Sequence, residues 1–421
     1  MNRLATGVLV VGCAVAGPAP VPARTPAHGS VRAVRNVGDD SIRVLLPGGR
    51  GAPAVESSTG VVWTTSDGSL VARAPRNQAW RVEREGRRVR AVRPDGVGTV
   101  WTEPPLIANS MEPALLSLGG KPYRGHFGFY GSDSGVAIVN VARIDDYLRG
   151  VVPLEIGTRA VGDSAAVQAQ AVTARSYAFT HLTADPTRTY DVTGGVRDQV
   201  YGGVAAETSV SSQAVESTRT LVLKYDGRVV NAPYHSTCGG STAAASEIWR
   251  SADEPYLRAV SDRIPGSDRY YCDLAPQFRW TRTLSGPVLN AAIARYLATY
   301  TPVPGGTPGV ARSVSIASRT ASGRVAALAL ATDRGTFTLR GNDIRYVLRQ
   351  PGGDILNSTN FAVETSSGAG GAIAALTIRG SGHGHGVGMC QSGAIGRARA
   401  GQDYRAILHT YYPGTTIGPA Q

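Results

Sequence analysis

Residues 30–142 alternate apolar and polar positions in short runs that turn residues separate. Residues 41–46 form one such run, and residues 88–92 alternate without interruption. A period of two places every second side chain on one face of a strand, against a core. Residues 136–141 are almost continuously apolar, which predicts a further strand. We therefore expect a β-rich N-terminal region over residues 30–120, and no catalytic chemistry is evident in it.

The hydrophobic period changes after residue 163. Val167, Ala171, Ala174 and Ala178 recur at i, i+4, i+7 and i+11, which predicts a helix over residues 164–182 with a seam of small side chains. The apolar stretch before it, which ends in Val-Val-Pro-Leu-Glu, is interpreted as a strand followed by a turn. Weaker helical patterns lie at residues 205–218, 286–299, 341–348 and 404–411, and strand patterns at 311–317 and 324–332. These elements predict an α+β fold of mostly antiparallel sheets with a few packed helices.

Composition supports a folded protein. The 421 residues are 42% hydrophobic and 18% charged, which favours a packed core over global disorder. The 52 glycines and 25 prolines favour short strands joined by turns. A net charge of +12 attracts polyanions. Because the basic residues are scattered rather than clustered, an anionic cell envelope is favoured as the partner over nucleic acid.

Residues 1–27 have the features of an export signal. Arg3 precedes an uncharged, mostly apolar run at residues 4–16, which is too short to cross a bilayer as a mature helix. Cys13 follows Val-Val-Gly, a lipobox-like sequence, and would then carry a lipid anchor. Cleavage after a small residue near position 23 or 27, or a disordered leader, are the alternatives. The expected location is extracytoplasmic, in the cell envelope or secreted.

Glu155 is the acidic residue that we single out as catalytic. It follows the apolar residues Val151, Val152 and Pro153 and precedes the predicted helix. Apolar surroundings favour the protonated form of a carboxyl group, which a general acid requires. The alternative is an ordinary exposed glutamate on a loop.

A glycine-rich segment at residues 380–393 contains His383 and His385. Glycine at nearly every second position lets a backbone approach a ligand or a neighbouring strand closely. His-x-His is half of a metal site, but no HExxH motif accompanies it, so a polar cleft wall is the favoured interpretation.

Cys238, Cys272 and Cys390 remain after the leader, and an odd number of thiols cannot be fully paired. A disulfide between Cys238 and Cys272 is the favoured interpretation for an exported protein. A structural zinc site formed by His235, Cys238, Cys272 and Cys390 would use all three thiols. Buried free cysteines are the third alternative. No P-loop, dinucleotide-binding fingerprint or G-x-S-x-G motif occurs, which argues against nucleotide chemistry and the common serine hydrolases.

Six stretches resemble the stage II sporulation protein D family (SpoIID/LytB) and occur in that family's order. They are residues 146–155, 166–178, 199–203, 234–240, 384–394 and 411–415. The resemblance implies a SpoIID/LytB-like domain with a cleft over residues 123–418. The family's catalytic glutamate falls on Glu155. The family usually has a small residue before this glutamate and Met after it, whereas Leu154 and Ile156 flank it here.

The resemblance implies a bacterial lytic transglycosylase, which cuts MurNAc–GlcNAc bonds in peptidoglycan strands stripped of peptide stems. No cofactor is required for such a reaction. The hypothesised sugar-binding residues that line the cleft are Arg175, Gln199, Tyr201, His235, Ser236 and His385. The LytB side of the family implies instead a non-catalytic, wall-bound enhancer of an N-acetylmuramoyl-L-alanine amidase.

Overall fold

The computed structural model describes residues 40–47, 52–185, 187–249 and 251–420. The predicted export signal at residues 1–27, with Cys13, lies outside the described residues. The described chain divides into two compact units. The first unit comprises residues 40–161, Ala174–Val222 and 419–420, and the second comprises Gly162–Thr173 and Leu223–Gly418.

Strands dominate the beginning of the first unit, in agreement with the alternating pattern there. They are β1 (Ser41–Leu45), β2 (Ala54–Glu56), β3 (Val61–Thr64), β4 (Leu70–Ala74), β5 (Trp80–Glu85), β6 (Arg88–Val92), β7 (Leu106–Ser110), β8 (Leu116–Leu118), β9 (Lys121–Tyr123), β10 (His126–Ser132) and β11 (Gly135–Arg143). The helices of this part of the chain are α1 (Ile144–Ile156), α2 (Ser164–His181) and α3 (Ser209–Ser217), with the short strand β12 (Val192–Thr193) between α2 and α3.

Two sheets form among the described residues of the first unit. One has the strand order β12-β1-β11-β10-β7-β3-β4, and the other has the order β6-β5-β2-β8-β9. β1 and β11 pair antiparallel, with Ser41 opposite Arg143. Ile42 and Val44 of β1 are fully buried, as the alternation predicts. Trp63 on β3 is also fully buried and stacks on Trp80 of β5.

Helix α1 corrects the prediction of a strand and turn before Glu155. Its buried positions, Ile144, Tyr147, Leu148, Val151 and Val152, follow the helical spacing i, i+3, i+4, i+7 and i+8. Val151 and Val152 favour a strand and Pro153 favours a turn, so these residues hid the helical spacing. The proline lies inside the last turns of the helix, where it removes one backbone hydrogen bond without preventing the turns before it. Glu155 therefore lies on the last turn of a helix.

The helix predicted over residues 164–182 is confirmed as α2. The small residues of the predicted seam are buried: Val167 is 1% exposed, and Ala171, Ala174 and Ala178 are 0% exposed. Residues 164–173 of this helix belong to the second unit and residues 174–181 to the first.

The second unit alternates short strands with helices. Its strands are β13 (Leu221–Tyr225, which begins in the first unit), β14 (Arg228–Val229), β15 (Tyr234–His235), β16 (Arg279–Ser285), β17 (Ala311–Arg319), β18 (Val325–Thr332), β19 (Gly335–Arg340), β20 (Phe361–Ser367), β21 (Ile373–Ser381), β22 (Met389–Cys390) and β23 (Thr416–Pro419). Its helices are α4 (Ala245–Ile248), α5 (Gly286–Tyr296), α6 (Asp343–Val347), α7 (Gln391–Arg399) and α8 (Tyr404–Tyr411). The predicted α+β class, with mostly antiparallel sheets, is confirmed.

Helix α7 was not predicted. Two glycines and few apolar residues weaken the helical pattern at residues 391–399. The Cys390 side chain accepts a hydrogen bond from the Gly393 amide, which satisfies one donor at the beginning of the helix.

Antiparallel sheets β16-β21-β20 and β17-β18-β19 surround the hydrophobic core of the second unit. Helix α5 packs against this core through Leu289 and Ile293, which are both fully buried. Leu328 on β18 and Leu376 on β21 are also 0% exposed. In the described part of the chain, no helix combines the length and apolar character needed to cross a bilayer.

Replacing Leu376 by Ala is expected to lower the free energy of unfolding by about 2–5 kcal/mol, because it removes buried methyl groups and leaves a cavity. Denaturant titration measures the loss. Leu274→Ala is the matched control, since Leu274 is 40% exposed in the same unit, and its cost should stay below about 1 kcal/mol. Equal losses in the two variants would contradict the assignment of the core.

Candidate active site

The Glu155 carboxyl group is half-buried at the end of helix α1. Its Oε1 atom accepts a hydrogen bond of 2.8 Å from the backbone amide of Val200. The helix stops directly after it, where Gly157 has a φ of 80°, a conformation that glycine adopts without strain. The structure thus joins two motifs that are far apart in the sequence, the end of α1 and the loop at residues 199–203.

Gly150 allows this loop to approach the helix. A Cβ atom on Gly150 would lie 2.7 Å from the Tyr201 ring and 2.8 Å from the Gly203 carbonyl oxygen. The Gly202 amide donates to the Gly150 carbonyl at 3.1 Å. The position of the Val200 amide therefore depends on a close contact that only glycine permits.

Two buried tyrosines and a glutamine connect the loop at residues 199–203 to neighbouring elements of the first unit. The Tyr147 hydroxyl donates to Gln199 Oε1 at 3.2 Å, and the Tyr201 hydroxyl donates to Asn140 Oδ1 at 2.9 Å. Burial, and then the nearby Glu155 charge, raise the pKa of Tyr147 well above its ordinary value. Burial likewise raises the pKa of Tyr201. Both phenols stay neutral and can donate hydrogen bonds at any physiological pH.

Asp198 precedes Val200 by two residues and is a carboxylate that sequence reasoning missed. The Tyr177 hydroxyl donates to its Oδ1 atom at 3.1 Å, and Thr193 donates to its Oδ2 atom from both the amide and the hydroxyl. Burial, followed by the Asp198 charge, raises the pKa of Tyr177. A cavity of about 680 Å³ in the first unit is lined by Asp198 but not by Glu155.

Arg175 is only 1% exposed. Its guanidinium group forms hydrogen bonds and an ion pair within the first unit. Its Nε and Nη2 atoms pair with Asp145 at 2.8 Å. Its Nη1 atom donates to the Leu221 carbonyl, and Nη2 also donates to the Val215 carbonyl. These contacts tie α2 to the beginning of α1 and the end of α3. They give Arg175 a structural role, and its contact with sugar stays a prediction.

The motifs at residues 234–240 and 384–394 lie side by side within the second unit. β15 and β22 pair in parallel, with His235 opposite Cys390. Gly388 permits this contact, because a Cβ atom there would lie 2.0 Å from the Pro233 carbonyl oxygen. Ser236 is half-buried, and its carbonyl accepts hydrogen bonds from the amide and hydroxyl of Ser392.

His235 and His385 both contact the backbone of Val387. The Val387 amide donates to His385 Nδ1 at 3.1 Å, and the Val387 carbonyl lies 3.2 Å from His235 Nδ1. The His385 Nε2 atom lies 2.9 Å from the Tyr234 carbonyl, so His385 is the neutral Nε2–H tautomer. Burial lowers the pKa of His385 to about 3. With both ring nitrogens used, His385 does not fit the metal half-site that the His-x-His motif suggested.

His235 Nε2 is buried and has no hydrogen-bond partner among the described residues. Because the ring donates through Nδ1, this nitrogen is an acceptor. Burial lowers the pKa of His235 well below its ordinary value. The candidate site residues thus fall into two groups, with Glu155, Arg175, Gln199 and Tyr201 in the first unit and His235, Ser236 and His385 in the second.

The three cysteines come together in the second unit as buried free thiols, which is the third alternative of the sequence analysis. They are unbonded thiols, and the Sγ atoms of Cys238 and Cys272 lie 3.4 Å apart, whereas a disulfide requires about 2.05 Å. The favoured disulfide is therefore not formed in this structure. The fourth potential ligand beside them is Asp262 rather than His235. Nothing in the sequence spacing indicated Asp262.

The comparisons with known proteins decide the family. The sequence profile of "Stage II sporulation protein" (SpoIID) matches residues 132–225, which include Glu155, Arg175, Gln199 and Tyr201. An uncharacterised protein of Brachyspira hyodysenteriae is 32% identical over 303 residues, or 72% of this chain and 74% of that protein. The chain belongs to the SpoIID family.

Two further relatives of this SpoIID-family chain come from Bacillus subtilis. Its amidase enhancer is 32% identical over 310 residues, which cover 64% of the present chain but only 40% of the enhancer. Its stage II sporulation protein D is 28% identical over 296 residues, or 66% of this chain and 75% of that protein. A domain of unknown function (DUF8618) matches residues 266–388.

Replacing Gly150 by Ala should displace the loop at residues 199–203. We expect a loss of about 1–2 kcal/mol, because the steric clash exceeds the gain in helix propensity. Hydrogen exchange at the Val200 amide should accelerate. Gly195→Ala is the control, since no atom lies within 4 Å of a Cβ there. If both variants match the native protein in stability and exchange, the close contact does not position the amide.

The buried neutral His385 makes stability depend on pH. Its folded-state pKa of about 3 lies below the ordinary value of 6.5. The unfolded chain therefore takes up the proton first as the pH falls, and stability decreases from pH 7 to pH 5. The contribution is on the order of 2 kcal/mol. The variant His385→Asn, which keeps an acceptor for the Val387 amide, should lose correspondingly less stability over this range.

Denaturant titrations at pH 7 and pH 5 measure this difference. The exposed His409 provides the control, and His409→Asn should keep the pH dependence of the native protein. A pH dependence in His385→Asn equal to that of the native protein would show that His385 titrates normally in the folded state.

Proposed function

We propose that the protein is a lytic transglycosylase that cleaves MurNAc–GlcNAc bonds in peptide-stripped peptidoglycan strands. Family membership and the amidase-enhancer relative support a wall-associated role. The observation that carries the finer proposal is the placement of Glu155. Its carboxyl group is half-buried, is oriented by the Val200 amide, and lies in the segment that matches the family profile.

One carboxyl group is sufficient for this reaction. Protonated Glu155 donates its proton to the glycosidic oxygen, and the bond from C1 of MurNAc to that oxygen breaks. The carboxylate then removes the proton from the 6-hydroxyl of the same sugar, whose oxygen bonds to C1. The product is a 1,6-anhydro-MurNAc end, and the proton returns to Glu155. Because no water is added, the second carboxylate of a hydrolytic glycosidase is not needed.

The surrounding side chains would hold the sugar during this transfer. The neutral phenol of Tyr201 and the amide of Gln199 lie on the loop that orients Glu155. Gln199 and Tyr201 are the residues of the first unit proposed to hold the hydroxyl, acetamido and lactyl groups of the sugar. For the second unit, a sugar contact of His235 and Ser236 stays a prediction. The net charge of +12 supports attraction to an anionic cell wall. A lipid anchor at Cys13 belongs to this proposal as well.

Replacing Glu155 by Gln should abolish the activity, because the amide keeps the shape but cannot cycle a proton. The assay incubates the purified protein with amidase-treated peptidoglycan and detects 1,6-anhydro-MurNAc products by mass spectrometry. We expect a reduction of at least about 100-fold. Circular dichroism should show an unchanged fold.

Glu103→Gln is the matched control, since Glu103 is an exposed glutamate of the same unit. It should retain full activity. If Glu155→Gln releases anhydro products at the native rate, Glu155 is not the catalytic acid.

The second candidate function is that of a non-catalytic amidase enhancer. The similarity to the B. subtilis amidase enhancer favours it. In this case the chain would bind a cell-wall amidase and raise its activity on peptidoglycan without cutting glycan itself. The Glu155→Gln variant separates the two functions. Normal stimulation of the amidase by this variant, with no anhydro products from the native protein, would favour the enhancer.

A further inference from the structure

Four potential metal ligands meet in the interior of the second unit. Cys238 follows β15, Cys272 and Asp262 lie in the segment between α4 and β16, and Cys390 ends β22. All four residues are 0% exposed. One ligand atom from each lies within 4.8 Å of the other three. Segments far apart in the sequence therefore converge on one point.

The spacing suits a tetrahedral ion. Zinc–sulfur bonds of about 2.3 Å at tetrahedral angles separate the sulfur atoms by about 3.8 Å. The Sγ atom of Cys238 lies 3.4 Å from that of Cys272 and 3.7 Å from Asp262 Oδ2. The remaining pairs of ligand atoms lie within 4.8 Å of one another, and side-chain rotations would bring them to the tetrahedral spacing.

The protein supplies hydrogen bonds that stabilise anionic sulfur. The Sγ atom of Cys390 accepts from the backbone amides of Cys238 at 3.1 Å and Gly393 at 3.2 Å. It also caps the N-terminus of α7, where the helix dipole favours negative charge. Thiolates are the form that binds metal.

Two neighbouring residues, Tyr411 and Arg397, fix the orientation of the Asp262 carboxylate. Its Oδ1 atom accepts from the Tyr411 hydroxyl at 2.7 Å and from Arg397 Nη2 at 3.1 Å. Its Oδ2 atom faces the thiols. Gly393 leaves room for this oxygen, since a Cβ atom there would lie 2.4 Å from it. Carboxylate ligands are commonly fixed in this way through the oxygen that does not bind the ion.

We propose that Cys238, Cys272, Cys390 and Asp262 bind one zinc ion in a closed, structural site. Three thiolates and a carboxylate in such close, buried proximity repel one another, and a divalent cation removes this repulsion. Four protein ligands leave no open position for a substrate, so the ion would hold the fold rather than take part in catalysis. The site is independent of the reaction at Glu155.

The first test measures metal in the full-length protein, purified without chelators and with thiols protected from oxidation. Elemental analysis should find about one zinc per chain. Cobalt(II) exchanged into the protein should give the visible absorption bands of a tetrahedral thiolate site. Absence of zinc after incubation with zinc ions, or a Cys238–Cys272 disulfide found by peptide mass mapping of that protein, would overturn the proposal.

Variants test the ligand set. Asp262→Asn and Cys390→Ser should each weaken zinc binding at least about 10-fold, as measured by competition with a coloured chelator. His235→Gln is the control for the alternative ligand, and Cys13→Ser is the control for thiol loss; both should keep the native zinc content. Native zinc affinity in Asp262→Asn, or loss of zinc from His235→Gln, would contradict this ligand set. If a variant fails to fold, the cobalt spectrum of the native protein still decides whether the site is a tetrahedral thiolate centre.

Discussion

The position of Glu155 depends on the close approach of the loop at residues 199–203 to helix α1. Because Gly150 lacks a side chain, the Tyr201 ring and the Gly203 carbonyl reach the helix backbone. That contact places the Val200 amide 2.8 Å from the Glu155 carboxyl group. A backbone amide has no side-chain rotamers, so it orients a carboxyl group without an entropic cost of its own. The end of α1 and the loop therefore work as one structural element.

A glycine also permits a close backbone contact in the second unit. Gly388 admits the Pro233 carbonyl at a distance that a side chain would block. Next to the parallel pairing of β15 with β22, the backbone of Val387 contacts both rings, His385 through its amide and His235 through its carbonyl. Buried polar groups need partners, and here the backbone supplies them because glycine lets it come close. The glycines in these motifs are thus explained by packing before any role in binding is considered.

The sequence predicted the helices and strands that have a regular spacing of apolar residues. Helices α2 and α8 and the alternating strands follow from the spacing of apolar residues. The glycine-rich segment was expected to approach a ligand or a neighbouring strand, and its strand β22 pairs with β15. Helix α1 was missed because β-branched residues and Pro153 outweighed a helical spacing that is present. Asp262 could not be predicted, since its proximity to the three cysteines arises only from tertiary folding. The zinc alternative of the sequence analysis took His235 as the fourth ligand, whereas the His235 ring contacts the Val387 carbonyl.

The hydrogen bonds separate motif residues that stabilise the fold from Glu155, the residue proposed to carry out the reaction. Arg175 and His385 are buried, and their polar atoms contact the protein itself. Such residues hold the backbone, so a transglycosylase and an amidase enhancer built on this fold would need them equally. Glu155 differs, because its carboxyl group is half-buried rather than fully enclosed by the protein. The chemistry that separates the two proposed functions is therefore concentrated in that carboxyl group.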